Sequence, residues 1–521
     1  MALLGSLLLL AGLVVVLLRK YVKSLSQSHQ SLPLPPGPKP LPIIGNILDI
    51  PHEKTWLTYQ DLCAKYGDIV HLRALGQTII VLGSSDVAFE LLEKRSAIYS
   101  DRGQSAMASL CNGMGLEYGL HPIRAMGRRT RRAFHQHFHQ GVVDKYQPVQ
   151  LRESRRFIQN VLRDPNGLVH HIRFAFGATI LKIAYGIEIP ESDEKYTVMA
   201  EKALEGLSQG LTPGSYLVEF IPALRHVPAW FPGAGFKRKA ARWRSAALTL
   251  REAPFAETKM AFNNGMAVPS ITSSFLEKIA QLNEEQATDE EEVVKNAVGV
   301  AYSAGADTTF STLQWFFLVM LLYPDVQRKA QAELESIVGP GRLPDFSDRE
   351  SLPYVNAIAL ECFRWRPVLP LGVPRQTLAD DEYRGYFIPR GALVIPNIWA
   401  YAHDPTAYPE PGTFNPDRFL KDGRLDPSVR DPRTLIFGFG RRICPGRHLA
   451  DASLFINIAT ALHVFNVGFP GGKSITINTE MTSGLLSYPH PFPYSITPRS
   501  AAAEALIRNA VTDLENDGVI C

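Results

Sequence analysis

Cysteine is scarce in this chain. Five thiols, Cys63, Cys111, Cys362, Cys444 and Cys521, are scattered over 521 residues, odd in number and without a CxxC pair. That spacing excludes a zinc ribbon and a disulfide framework, and it fits a body kept in a reducing compartment. Charge of one sign is missing too. A formal net charge of +3 gives no electrostatic basis for a nucleic-acid partner. No repeat recurs at solenoid periods, and no convincing P-loop or dinucleotide glycine fingerprint occurs. What remains is length and an ordinary globular composition, 45% hydrophobic and 20% charged, enough to bury a large core.

Near the N-terminus the run "ALLGSLLLLAGLVVVLL", Ala2 to Leu18, carries no charge and is followed at once by Arg19, Lys20 and Lys23. As a helix it spans roughly 25 Å, enough for a thin bilayer such as that of the endoplasmic reticulum. No basic segment precedes it and no small-residue cleavage site follows. Residues 1–20 are therefore expected to be a retained single-pass anchor, with the body on the cytosolic side of the endoplasmic reticulum membrane. Residues 21–42 read as a polar and Pro-rich linker, in which six prolines between Pro33 and Pro42 impose a stiff, extended spacer. The body is expected over 43–499, followed by a tail, 500–521, of no assigned role.

The body reads as mainly α with a small β region. "IVHLRAL" and "TIIVLG" alternate around Gly76 like a hairpin, and "EYRGYFIPRGALVIPNIWA" reads as short strands. The longest helix is expected to open at Thr288, with Glu291 completing a capping box, and to stop before Tyr323-Pro324. It is apolar around most of its circumference from Val293 to Leu322, as a helix through a core is. Asp307, Thr308, Thr309, Ser311, Thr312 and Gln314 interrupt it too heavily for a second membrane span.

The stretch "FGFGRRICPGRHLA", Phe437 to Ala450, carries the most chemistry. Gly438, Gly440 and Gly446 permit a tight loop, and a helix is expected after Pro445, from Arg447 onward without Gly or Pro to Val467. Cys444 in such a turn can receive backbone N–H groups, with Arg441 and Arg442 adding positive field, conditions that favour the thiolate. From the residues alone it is a nucleophile, a metal ligand or an inert buried cysteine. In "AGADTT", Ala304 to Thr309, Gly305 costs about 1 kcal/mol inside a helix, which suggests a groove for a small ligand. The pair Asp307-Thr308 is expensive there unless satisfied. "ECFR" puts Glu361 and Arg364 on one helix face. The "HQHFH" run offers His135 and His139 on one helical face, with no third ligand to complete a metal set.

Phe437-x-x-Gly440-x-Arg442-x-Cys444-x-Gly446 resembles the haem-binding signature of the cytochrome P-450 superfamily of haem-thiolate monooxygenases. "ECFR", "FNPDRF", "AGADTT" and the Pro-rich "PPGPKPLPIIGN" are similar to further family motifs, and the likeness runs from the anchor to Arg499. It implies the family fold, a helical haem domain with a long central helix and small antiparallel sheets. It implies haem b, its iron bound by Cys444, with Arg442, Arg375 and Arg131 at the propionates and Phe437, Gly440 and Gly446 shaping the loop. A Glu361–Arg364–Arg418 network would hold the core together, and Asp307 and Thr308 would manage protons during oxygen activation. The family's Trp-x-x-x-Arg motif has Gly127 at the Trp position here, after an unusual segment over 120–127. The basic helix around Arg128 to Arg132 could offer charge to an acidic electron donor, or be a solvated face.

The expected activity is insertion of one atom of O2 into a lipophilic small molecule, as in terpenoid or other secondary metabolism. Electrons would come from NADPH through a separate flavoprotein reductase. "YLVEFIPALRHVPAWFPGAGFKRKAARWR" resembles a stretch of fungal members, and its Trp230 and Phe231 suit either a bilayer-dipping loop or core packing. Two other readings stay open. One is a haem-thiolate isomerase or dehydratase, which would turn over without O2. The other is a non-enzymatic haem sensor, which would not consume NADPH.

Overall fold

The computed structural model describes residues 32–51, 53–103, 105–111, 125–190, 195–210 and 216–516. The expected anchor, the first part of the linker and most of the 120–127 segment lie outside the described residues.

The principal helices are α1 (Thr55–Tyr66), α2 (Ala125–Phe138), α3 (Gln147–Arg163), α4 (Leu168–Tyr185), α5 (Lys195–Gly210), α6 (Gly235–Asn263), α7 (Glu284–Leu322), α8 (Pro324–Ile337), α9 (Pro353–Trp365), α10 (Arg447–Val464) and α11 (Ala501–Asn516). The strands are β1 (Ile69–Ala74), β2 (Gln77–Leu82), β3 (Arg375–Gln376), β4 (Asp381–Tyr383), β5 (Tyr386–Ile388), β6 (Leu393–Pro396), β7 (Leu420–Lys421), β8 (Arg424–Leu425), β9 (Phe465–Gly468) and β10 (Ser495–Pro498). Helix therefore dominates, as expected.

The central helix α7 is 39 residues long and buried on nearly every side from Val293 to Leu321. It starts four residues before the expected Thr288. Asn283 is the N-cap, accepting the Gln286 N–H at 2.9 Å, and Glu284 and Glu285 fill the first turn, where carboxylates suit the helix dipole. Thr288 lies inside the helix, its hydroxyl donating back to the Glu284 carbonyl. The C-terminal end falls at Leu322, before Pro324, as read. Among the described residues no helix is long and apolar enough to cross a membrane, which agrees with a core helix here.

Around α7 pack α4 and α6, and α3 and α10 complete the large core that includes Phe310, Phe316, Phe317, Phe455 and Ile458. The β1–β2 hairpin is in register Ile69↔Leu82 to Ala74↔Gln77, and Leu75 and Gly76 turn it with positive φ, as a tight two-residue hairpin demands. The sheet order is β1-β2-β6-β3, and the β2–β6 pairing is parallel, a departure from purely antiparallel sheets. It arises because β6 returns to β2 after a long helical excursion rather than a hairpin.

The described prolines contain no helix, as expected, yet they do not stand away from the body. The Pro33 and Pro36 carbonyls accept the Phe387 and His71 N–H groups at 2.8 Å each. The described part of the tail, Ala501–Asn516, forms α11, whose Ala503, Ile507 and Ala510 enter the large core and whose Arg508 carbonyl accepts from Gln159 of α3 at 3.1 Å.

Candidate active site

A cavity of about 360 Å3 lies between α7, α2, the start of α10 and the loop before β3. Its lining is mainly apolar and includes Phe134, Ile180, Leu204, Leu369, Leu485 and Leu486. Among the lining residues none is acidic.

Cys444 lines the cavity from the loop that precedes α10. Its own N–H donates to the Phe437 carbonyl at 2.7 Å, closing the loop. Gly438 and Gly440 have φ of +77° and +52°, and a Cβ on Gly440 would lie 2.5 Å from the Leu92 carbonyl oxygen. Phe437 faces the cavity and packs edge-on against Phe363 of α9, 5.4 Å between centroids. Gly446 also lines the cavity, and a Cβ there would meet no protein atom within 4 Å. No protein atom therefore crowds the position, and its φ of -88° does not require glycine.

Burial pushes the Cys444 thiol up, and the Gly446 N–H, Arg131, Arg447 and the Arg447 N–H pull it back down. Its surface is partly open, but to the cavity, so the sulfur is desolvated all the same. The expected backbone donors are present. The positive field, expected from Arg441 and Arg442, comes instead from Arg131 and Arg447, because Arg441 points to solvent. The protein alone thus leaves the sulfur short of anion stabilisation, which suits a site completed by a metal cation.

Four arginines converge on the cavity: Arg102, Arg131, Arg375 and Arg442. Arg131 donates to the Ile443 carbonyl at 2.7 Å and Arg442 to Ser100 at 2.8 Å. Arg375 donates to Leu92 and Phe439, and Arg102 to Val373 and Pro374. Burial, then neighbouring Arg442, lowers Arg375 to about 10, and burial, then Arg131, lowers Arg442 to about 10. Arg102 is driven down further by burial, Arg375 and Arg442. Asp101 offsets Arg102 and Arg442, and Glu93 offsets Arg375, but burial remains the leading effect at each of the three, so the cluster suits a further anion. Arg102 was not legible in the sequence, since nothing local to "SDRGQ" marks it and only the tertiary fold brings it to the cavity.

Opposite the cysteine loop, Ala304, Gly305 and Thr308 of α7 line the cavity. The Thr308 hydroxyl donates to the Ala304 carbonyl at 3.0 Å. Asp307 does not line the cavity. Its carboxylate is buried, receives the Tyr488 hydroxyl, and is faced by Arg173 at 3.4 Å. Burial raises its pKa against the lowering effects of Tyr488 and Arg173. Gly305 has a packing reason beside the expected groove, because a Cβ would sit 3.2 Å from Cγ1 of Ile180 on α4.

Glu361, Arg364 and Arg418 meet as one network. Arg364 bridges both oxygens of Glu361 at 2.6 and 2.7 Å, and Arg418 reaches Glu361 at 3.1 Å. The remaining guanidinium donors are taken by the carbonyls of Ala402, Pro411, Thr413 and Pro409. His135 and His139 stack on one helix face, and no metal-holding group of three ligands occurs among the described residues. Arg129 is committed to Asp289 and Glu290, and Arg131 turns inward, so Arg128 and Arg132 are left as the exposed arginines of that helix.

A sequence model of the family described as Cytochrome P-450 matches residues 35–496. Cytochrome P-450 monooxygenase 208 of Postia placenta is 43% identical over 91% of this chain and 92% of its own length. Cytochrome P-450 monooxygenase ple1 of Rhodocybe pseudopiperita is 42% identical, covering 93% of each chain. Tryptamine 4-monooxygenase of Psilocybe cyanescens is 39% identical over 90% of this chain and 93% of its own. With the fold and this cavity already in hand, these likenesses establish that the chain belongs to the cytochrome P-450 family: it is a haem-thiolate monooxygenase whose cofactor is haem b, bound through a cysteine.

Proposed function

We propose that Cys444 is the cysteine that binds the haem iron and that Arg102, Arg131, Arg375 and Arg442 hold the two propionates. The observation that carries this is the meeting on one cavity of a desolvated sulfur and four arginines, Arg102 and Arg375 buried and Arg131 and Arg442 half-buried, with open space beside Gly446. When bound, the haem supplies dioxygen activation, with the thiolate donating electron density to the iron. The chain's own residues do the rest. Thr308 presents its Oγ1 to the cavity and manages a proton there. The apolar wall strips water from the substrate and holds it. Glu361, Arg364 and Arg418 keep the cysteine loop's supporting core in place. One oxygen atom enters the substrate and the other leaves as water, using two electrons and two protons.

The substrate class is a neutral, lipophilic small molecule such as a terpenoid or another secondary metabolite. A cationic amine of the kind named for the Psilocybe cyanescens relative finds no carboxylate in the lining, which favours the neutral class. Electrons come from NADPH through a separate flavoprotein reductase. Residues 1–20 anchor the chain in the endoplasmic reticulum membrane, residues 21–42 link the anchor to the catalytic body, and the body spans 43–499 on the cytosolic side. Exposed Leu48, Leu217 and Trp230, with Arg225 and Lys237 nearby in sequence, support contact of that body with the bilayer.

Reconstitution tests this reading. Haem-loaded enzyme with reductase, NADPH and labelled dioxygen should convert a neutral terpenoid panel to products carrying one labelled oxygen. Turnover without reductase and oxygen would instead assign an isomerase or dehydratase.

A further inference from the structure

Leu485 and Leu486 line the cavity, and they belong to a loop tied to the central helix by two side chains. Ser311 Oγ donates to the Ser487 carbonyl at 2.6 Å, and the Tyr488 hydroxyl donates to the Asp307 carboxylate. On the other side of that carboxylate stands Arg173 of α4, whose guanidinium lies 4.1 Å from the centroid of the Phe310 ring. The loop is also pinned to itself, with Tyr488 N–H on Thr482 Oγ1 at 2.9 Å and Thr482 N–H on the Tyr488 carbonyl at 3.0 Å. Ser487 N–H reaches the Val368 carbonyl at 2.9 Å, beside Leu369, another wall residue.

Asp307, Ser311 and Ser487 are each at most 1% exposed, so these bonds operate away from water. A buried carboxylate resists losing a donor far more than a solvated one does. The wall formed by Leu485 and Leu486 cannot retreat without stripping Asp307 of Tyr488. In a cavity whose lining is mainly apolar, shape decides how a lipophilic molecule lies.

We propose that Tyr488 is a specificity-positioning residue: by holding Asp307 through its hydroxyl it fixes how far Leu485 and Leu486 project into the cavity, and so which part of the substrate faces the cysteine side. This rests on the haem-thiolate reading of the cavity. It also gives Asp307 a task in the structure as it stands, that of fastening the substrate wall from behind.

The test uses the full haem-loaded chain and two imidazoles, 1-methylimidazole and 1-dodecylimidazole, whose affinities are read from the absorption change on binding. Tyr488→Phe keeps the ring and removes the O–H. It should retain the red-shifted ferrous–CO absorption and raise the preference for the dodecyl over the methyl ligand by roughly five-fold, the net worth of one typical hydrogen bond. Amides 484–488 should exchange faster with deuterium. Ser311→Ala, which cuts the other tie and leaves the carboxylate alone, should shift the preference in the same direction. Tyr494→Phe, whose lost hydroxyl bonds Leu168 and Asn166, should leave it unchanged. An unchanged or lowered preference in Tyr488→Phe overturns the proposal. Should that variant fail to take up haem, Ser311→Ala decides by the same criterion. Absence of the red-shifted band in the unaltered protein would overturn the reading of the cavity itself.

Discussion

At the scale of single residues, Cys444 and Thr308 line one cavity from different elements, and the sulfur and the hydroxyl can each be removed alone. Cys444→Ala should abolish the red-shifted ferrous–CO absorption, because alanine cannot ligate. An unaltered spectrum would refute the assignment. Thr308→Ala removes a hydroxyl whose other partner is merely its own helix, so the fold should hold. Product formed per NADPH should fall by about two orders of magnitude, the lower end of the range for a lost proton-transfer group. Unchanged coupling would remove Thr308 from proton management. Glu361 behaves differently. It is fully buried and accepts from two arginines and the Asn415 N–H, so Glu361→Ala leaves two buried guanidinium groups without their counter-ion. A loss of roughly 3–5 kcal/mol is expected in urea unfolding, enough to cost haem retention. A variant as stable as the parent would show that the carbonyls of Ala402, Pro411 and Thr413 suffice.

At the scale of elements, short motifs were legible and convergences were not. The cysteine loop, "ECFR" and "FNPDRF" each carry their signal within a few residues, and the network they form could be read as a family resemblance. The start of α7 was misplaced because Thr288–Glu291 satisfies the same capping pattern that Asn283 fulfils first. Arg102 and Tyr488 carry no local signal at all, since their meaning comes from partners 271 and 181 residues away along the chain. The tail was left without a role although Ala503, Ile507 and Ala510 follow the spacing of a buried helix face. Ile507 is fully buried in the large core, so α11 is an integral helix. Ile507→Ala should lower stability by about 2–5 kcal/mol, the range for a large-to-small core substitution. A loss under about 1 kcal/mol would mean that α11 rests on the surface without contributing to the core.

At the scale of the whole molecule, burial of neutral histidines links stability to pH. His403 is held down to about 3 by burial, then by Arg364, while its ring stacks on Trp399 at 3.7 Å. His463 and His137 are each lowered to about 4, burial being the first cause in both. Their folded pKa values lie below the ordinary 6.5. The stability they contribute is therefore complete above that value and is lost as pH falls toward 4, where the unfolded chain binds protons that the folded chain refuses. Each such histidine costs about 1.4 kcal/mol per pH unit in that window. The carboxylates titrate with them at the lower end, so the contribution of one site is read by difference. His403→Gln keeps an amide able to reach the Trp399 carbonyl and removes the titration. At pH 7 the variant should be less stable than the parent, through lost stacking on Trp399. Between pH 6.5 and 5 that deficit should shrink by about 2 kcal/mol, because the parent alone pays the proton penalty at this position. A deficit constant across the window, measured by urea unfolding at matched haem content, would mean that His403 is protonated in the folded protein and that the neighbouring guanidinium of Arg364 does not exclude the charge.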